Sequence, residues 1–98
     1  MASWSFLTNH ALVLTVISRR PESTGLEIAQ AVGITERATR KIIADLHDAG
    51  YIESERIGRR NRYRVNLHRA LGRFGERDLT VGEFLVLLHG GLNEQALV

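Results

Sequence analysis

Gly33-Ile34-Thr35-Glu36-Arg37-Ala38-Thr39-Arg40-Lys41-Ile42-Ile43-Ala44-Asp45-Leu46-His47-Asp48-Ala49-Gly50 is the stretch whose reading decides the fold. Thr35 is placed to cap a helix and Gly50 to end it. At about 100° per residue, Thr39, Ile42, Ile43 and Leu46 project into one narrow sector, while Arg37, Lys41, Ala44 and Asp48 point the opposite way and Arg40 lies at the edge. One face is built for a core. The other offers three cations in its first two turns, where the helix dipole favours acids, whereas Asp45 and Asp48 sit in the last two. This inversion predicts an external anion at the amino end. DNA fits, because an inserted recognition helix touches bases mainly with its amino-terminal residues.

A solvated amphipathic helix would show the same periodicity, so the flanking sequence decides. Upstream, Thr8 is placed to cap a helix from Asn9 to about Arg20, stopped by Pro21. Leu7, Ala11, Leu14 and Ile17 recur at helical spacing, with Val13 and Val16 as surplus apolar surface. Thr24-Gly25-Leu26-Glu27 fits a capping box and opens a short second helix to about Val32. Gly33 then allows the tight turn of a helix-turn-helix. Downstream, residues 51–57 read as a strand, Gly58-Arg59-Arg60-Asn61 as a turn, and Arg62-Tyr63-Arg64-Val65 as the return strand. Five Arg fall between positions 56 and 64 with no acid among them. Such a cluster repels itself without a nearby anion, and a hairpin here is placed to reach phosphates or a narrow minor groove.

Residues 8–66 resemble the winged helix-turn-helix domains of bacterial and archaeal transcriptional regulators of the broad MarR and ArsR type. The likeness is nearest to small MarR-like regulators, which carry runs similar to Leu7-Thr8-Asn9-His10-Ala11, Gly33-Ile34-Thr35-Glu36-Arg37, Asp45-Leu46 with Ala49-Gly50-Tyr51, and Gly58-Arg59-Arg60-Asn61-Arg62-Tyr63-Arg64-Val65. The resemblance implies that Thr35 to Lys41 form the groove-entering end of a recognition helix (35–49) and Gly58 to Arg62 the tip of a wing (51–65). Thr39 departs from the apolar residue usual at its position.

Composition agrees with this reading. The 98 residues are 44% hydrophobic and 24% charged, which suits one globular domain (1–98) rather than a disordered chain. The length is too short for a DNA-binding module plus a full ligand-sensing domain. The net charge of +2 is uneven: residues 1–34 sum to zero, 35–64 to +3 and 65–98 to −1. Twelve of the thirteen bases are Arg, whose fork suits phosphate and guanine. With no Cys and no apolar run near the roughly 20 residues that span a bilayer, a cytoplasmic protein is expected. His10, His47, His68 and His89 have no ligand spacing, and no phosphate loop, nucleophile elbow or paired carboxylates occur, so no metal, cofactor or enzymatic activity is expected.

The remainder reads as a connector (67–79) that has room for a short helical turn, a C-terminal helix (80–90) opened by Thr80-Val81-Gly82-Glu83, and a flexible tail (91–98). The expectation is therefore a mainly α protein with a small β-hairpin wing, binding pseudopalindromic duplex DNA as a homodimeric regulator. Thr35, Glu36, Arg37, Arg40 and Lys41 on the helix, and Arg56, Arg59, Arg60, Asn61 and Arg62 on the wing, are the candidate DNA contacts, Glu36 as acceptor from a cytosine amino group. Leu7, Val13, Val16, Val81, Phe84, Leu85 and Leu88 are the candidate dimer contacts. The alternative is a winged helix that uses its basic wing to bind an acidic protein.

Overall fold

The computed structural model describes residues 6–88. The chain forms two compact units, Met1–Val65 and Asn66–Val98. The first contains α1 (Asn9–Arg19), α2 (Gly25–Val32), α3 (Glu36–Asp48) and a hairpin of β1 (Ile52–Ile57) and β2 (Arg60–Val65). The second contains a hairpin of β3 (Ala70–Phe74) and β4 (Arg77–Thr80), followed by α4 (Val81–Leu88).

Each helix of the first unit starts at a threonine whose hydroxyl oxygen accepts an otherwise unsatisfied amide proton. Thr8 accepts from Ala11 at 3.2 Å, Thr24 from Glu27 at 3.1 Å and Thr35 from Ala38 at 3.0 Å. At α2 the box is reciprocal, since the Thr24 amide donates to the Glu27 carboxylate at 2.8 Å. Gly33 then turns the chain at φ +86°. The helix α3 ends one residue earlier than its glycine: Ala49 is the C-cap and Gly50 follows at φ +83°. There the Tyr51 amide donates to the Leu46 carbonyl at 2.9 Å and the Gly50 amide to that of His47 at 3.0 Å, a Schellman closure.

Val13, Leu14 and Ile17 of α1, Ile28 and Ala29 of α2, and Ile42 and Leu46 of α3 are buried, together with Ile52 and Tyr63 of the hairpin. Thr39 is fully buried as well. Its hydroxyl donates to the Thr35 carbonyl at 3.0 Å, so a polar atom enters the core satisfied. With Thr39, Ile42 and Leu46 inside, Arg37, Arg40 and Lys41 are exposed, which is the rotation the periodicity predicts.

The wing is tighter than its sequence suggests. Ile57 pairs with Arg60, so Arg60 and Asn61 are strand residues and only Gly58 and Arg59 form the loop. Gly58 has φ +61° and no non-glycine among the described residues has positive φ, Arg59 included, the pattern of a type II′ turn. Residues 53–62 are all exposed, so apolar packing holds only the root of the hairpin, at Ile52 and Tyr63.

The expected connector is instead the β3–β4 hairpin. Phe74 pairs with Arg77 around Gly75-Glu76, a Gly-X loop like that of the wing, with Gly75 at φ +68°. A register shift between Ala70 and Gly72 breaks the two-residue period, which is why alternation is not legible in so short a strand. Thr80 and Glu83 form the predicted capping box of α4: the Thr80 amide donates to Glu83 at 3.0 Å and the Glu83 amide to Thr80 Oγ1 at 3.2 Å. Arg77 binds the same carboxylate at 2.8 Å. Gly82 lies close against Leu67: a Cβ there would stand 3.2 Å from the Leu67 carbonyl oxygen that its own amide donates to, a tight contact that the Leu67 backbone would have to yield to. The expected stop at Gly90-Gly91 and the tail at 91–98 lie outside the described residues.

The candidate dimer contacts divide by burial. Val13, Val81 and Leu85 are buried, so these three have no surface left to offer a second copy and are withdrawn as contacts. Leu7, Val16, Phe84 and Leu88 are half-buried, and the surplus apolar residue of α4 that lies open is Leu87, 72% exposed.

Two measurements test this reading. Gly33→Ala should cost about 1 to 2 kcal/mol, because open space surrounds the site and the whole penalty is left-handed backbone; urea unfolding followed by circular dichroism reads it. The Arg77 guanidinium and then the Thr80 amide hold the Glu83 carboxyl down from the ordinary 4.5 to about 2. A lowered carboxylate contributes stability above its ordinary value that is lost as pH falls toward its folded value. The α4 cap should therefore weaken between about pH 4.5 and 2, with a Glu83 midpoint near 2 by carboxyl NMR, and Glu83→Gln should remove that dependence.

Candidate nucleic-acid interface

The exposed face of α3 carries Glu36, Arg37, Arg40 and Lys41, but not as three uncompensated cations. Arg40 Nη2 lies 3.1 Å from Glu36 Oε2, one turn back, and Lys41 binds Asp45, one turn on. Asp45 is shared, since His10 Nε2 of α1 lies 2.8 Å from its second oxygen. Hydrogen bonds from His10 and then Lys41 hold the Asp45 carboxyl below the usual carboxylate range, and Asp45 raises Lys41. Arg37 alone of the three has no hydrogen-bond or ion-pair partner among the described residues. Thr35 accepts from Ala38 as a cap and remains exposed at the same helix end.

The wing shows the same division. Sequence reasoning expects its five arginines to need an external anion, yet acids from outside the run reach most of them. Arg64 pairs with Glu53 directly across the hairpin at 3.0 Å. Arg62 reaches the Glu22 carboxylate at 3.3 Å, and Arg60 donates to the Glu22 carbonyl at 2.9 Å with Glu27 at 3.9 Å. Arg56 Nε folds onto the Gly58 carbonyl at 3.0 Å. Arg59, in the loop, has no partner among the described residues, and Asn61 is exposed beside it in β2.

Glu22 and Glu27 are thus site residues that the sequence reading missed. They stand about forty and thirty-three positions from their arginines, so no local spacing signals the pairing. The segment that carries Glu22 lies along β2, where the Tyr63 amide donates to the Pro21 carbonyl at 2.8 Å. An open depression of about 260 Å³ lies there, lined by Arg20, Pro21, Glu22, Ser23, Glu27 and Arg60. The Thr24 amide, more than the neighbouring cations, lowers the Glu27 carboxyl.

These pairs do not remove the arginines from DNA chemistry. Arg40, Arg60, Arg62 and Arg64 are each more than half exposed in their side chains, and such surface pairs contribute about 0 to 1 kcal/mol, so a phosphate can replace the carboxylate. The pairs rank the cations: Arg37 and Arg59 give up no partner among the described residues on meeting an anion. Among the described residues no group of His, Cys, Asp or Glu is arranged to hold a metal ion, and no helix is long and apolar enough to cross a membrane.

No curated protein matches the chain. Residues 8–53 match the family model described as winged helix-turn-helix DNA-binding, which spans α1, α2, α3 and the start of β1, and this match supports placing the chain in the broad winged helix-turn-helix group of DNA-binding proteins.

Proposed function

We propose that the protein is a transcriptional regulator that binds pseudopalindromic duplex DNA as a homodimer, with α3 in the major groove and the β1–β2 wing against the neighbouring backbone or minor groove. The observation that carries this reading is the pair of exposed arginines without a partner among the described residues, Arg37 near the amino end of the second helix of the helix-turn-helix and Arg59 at the wing tip. Arg37 is suited to read a guanine edge and Arg59 to contact phosphate or a narrow groove. Arg40, Lys41, Arg56, Arg60, Asn61 and Arg62 supply further polar contacts, and Thr35 a phosphate contact. Glu36 accepts from a cytosine amino group when Arg40 turns to a phosphate.

Dimerisation gives this small reader its specificity, because two recognition helices about 34 Å apart enter successive major grooves on one face of the duplex. Leu87 with Phe84 and Leu88 of α4 forms the surface proposed for a second copy, and Leu7 and Val16 are the accessible apolar residues toward the start of the chain. The resemblance to MarR-like regulators supports a cytoplasmic site of action.

Selection of bound duplexes from a random pool tests the reading directly; a palindromic consensus is expected, and no enrichment would favour an acidic protein partner instead. With about three or four phosphate contacts per subunit, the log-log salt slope of a dimer should be roughly −5 to −7 by fluorescence anisotropy. Arg37→Ala should cost about 1 to 3 kcal/mol on the selected site and relax its base preference, and Arg40→Ala less, because Arg40 already has Glu36. Arg59→Ala should weaken matched and scrambled duplexes alike. Sedimentation equilibrium should give twice the 11.0 kDa chain mass, shifting to monomer in Leu87→Glu.

A further inference from the structure

Exposed from residue 53 to residue 62, the wing projects beyond the apolar packing that holds its root at Ile52 and Tyr63. A two-stranded hairpin without a buried face is marginal in water, so something else must set its direction. Among the described residues, the hydrogen bonds from outside the hairpin that reach its distal half go to one residue, Glu22, with Glu27 as a looser ion-pair partner of Arg60 at 3.9 Å. Glu22 accepts from Arg60 through its main-chain carbonyl at 2.9 Å and from Arg62 through its carboxylate at 3.3 Å. Its neighbour Pro21 accepts the Tyr63 amide at 2.8 Å. Arg60 is the first residue after the Gly58-Arg59 loop, so this clasp extends to the tip.

We infer that Glu22 is a positioning residue for DNA binding: it holds β2, and with it the tip arginine Arg59, at a set angle to α3. This rests on the DNA-binding reading above and adds a role for an acid, which by charge alone opposes DNA. Arg60 and Arg62 then serve first as tethers of the wing, and Arg59 as its contact.

The sign of the effect separates this role from plain electrostatics. Removing an exposed acid should tighten DNA binding if Glu22 only repels phosphate. Positioning requires the reverse. Glu22→Ala in the full chain keeps the main-chain carbonyl that Arg60 binds and removes the carboxylate clasp on Arg62, and should weaken binding to the selected duplex about two- to fivefold, the scale of one exposed pair, with the salt slope unchanged because no phosphate contact is deleted. Glu22→Gln, which keeps an acceptor oxygen for Arg62, should recover most of the loss. Tighter or unchanged binding in Glu22→Ala would overturn the inference. A second readout needs no DNA: backbone 15N order parameters at Gly58 and Arg59 should fall in Glu22→Ala while those of α3 stay constant. An equally ordered tip would overturn the inference even if DNA binding holds, and a loosened tip would sustain the clasp even if the chain binds no DNA.

Discussion

The hydrogen bond from the Thr39 hydroxyl to the Thr35 carbonyl is small, but it lets a polar residue take a central core position on α3. A polar side chain in the centre of a three-helix core is costly unless its donor is satisfied, and here the helix supplies the acceptor itself. Thr39 can then sit beside Ile42 and Leu46 against α1 and α2, and the opposite residues have no choice but to face outward. Thr35 takes part twice, its side chain capping the helix and its carbonyl receiving Thr39. The residue that starts α3 thus also helps to set its rotation.

The charges on that outward face obey a second constraint. A basic surface on a chain of net charge +2 must not depend on a ligand for its own stability. Glu36 and Asp45 on the helix, Glu53 within the hairpin and Glu22 beside it moderate the repulsion among the bases. The pairs are exposed and weak enough to exchange. A cation with a dispensable partner is a different contact from one without, and among the described residues α3 and the wing each present one of the latter, Arg37 and Arg59.

Much of this was legible in the chain. The three threonine caps, the Thr24 to Glu27 box, the Gly33 turn and the buried stripe of α3 follow from local rules, because each is a relation between residues at most four apart. The winged helix-turn-helix fold was legible for the same reason. What escaped sequence reasoning was non-local or irregular. Glu22 meets Arg62 only because the chain folds back forty residues later. The β3–β4 hairpin hid behind a register shift that disrupts alternation, although Gly75-Glu76 repeats the Gly-X chemistry of Gly58-Arg59. Surplus apolar residues were read as interface, yet Val13, Val81 and Leu85 are consumed within the chain, a distinction that composition cannot make.

Pro21 has a consequence for the chain in company with its own copies. It gives its carbonyl to Tyr63 but has no amide hydrogen to offer, so the segment beside β2 accepts a bond without continuing a ladder. That side of the wing is closed to further strands. The other side belongs to β1, whose Glu53, Glu55 and Arg56 are exposed, and charged side chains discourage another chain from pairing there. An imino acid on one flank and a charged strand on the other keep a solvent-exposed ribbon from seeding fibrils, so the wing can stand bare and ready without becoming a template for self-association.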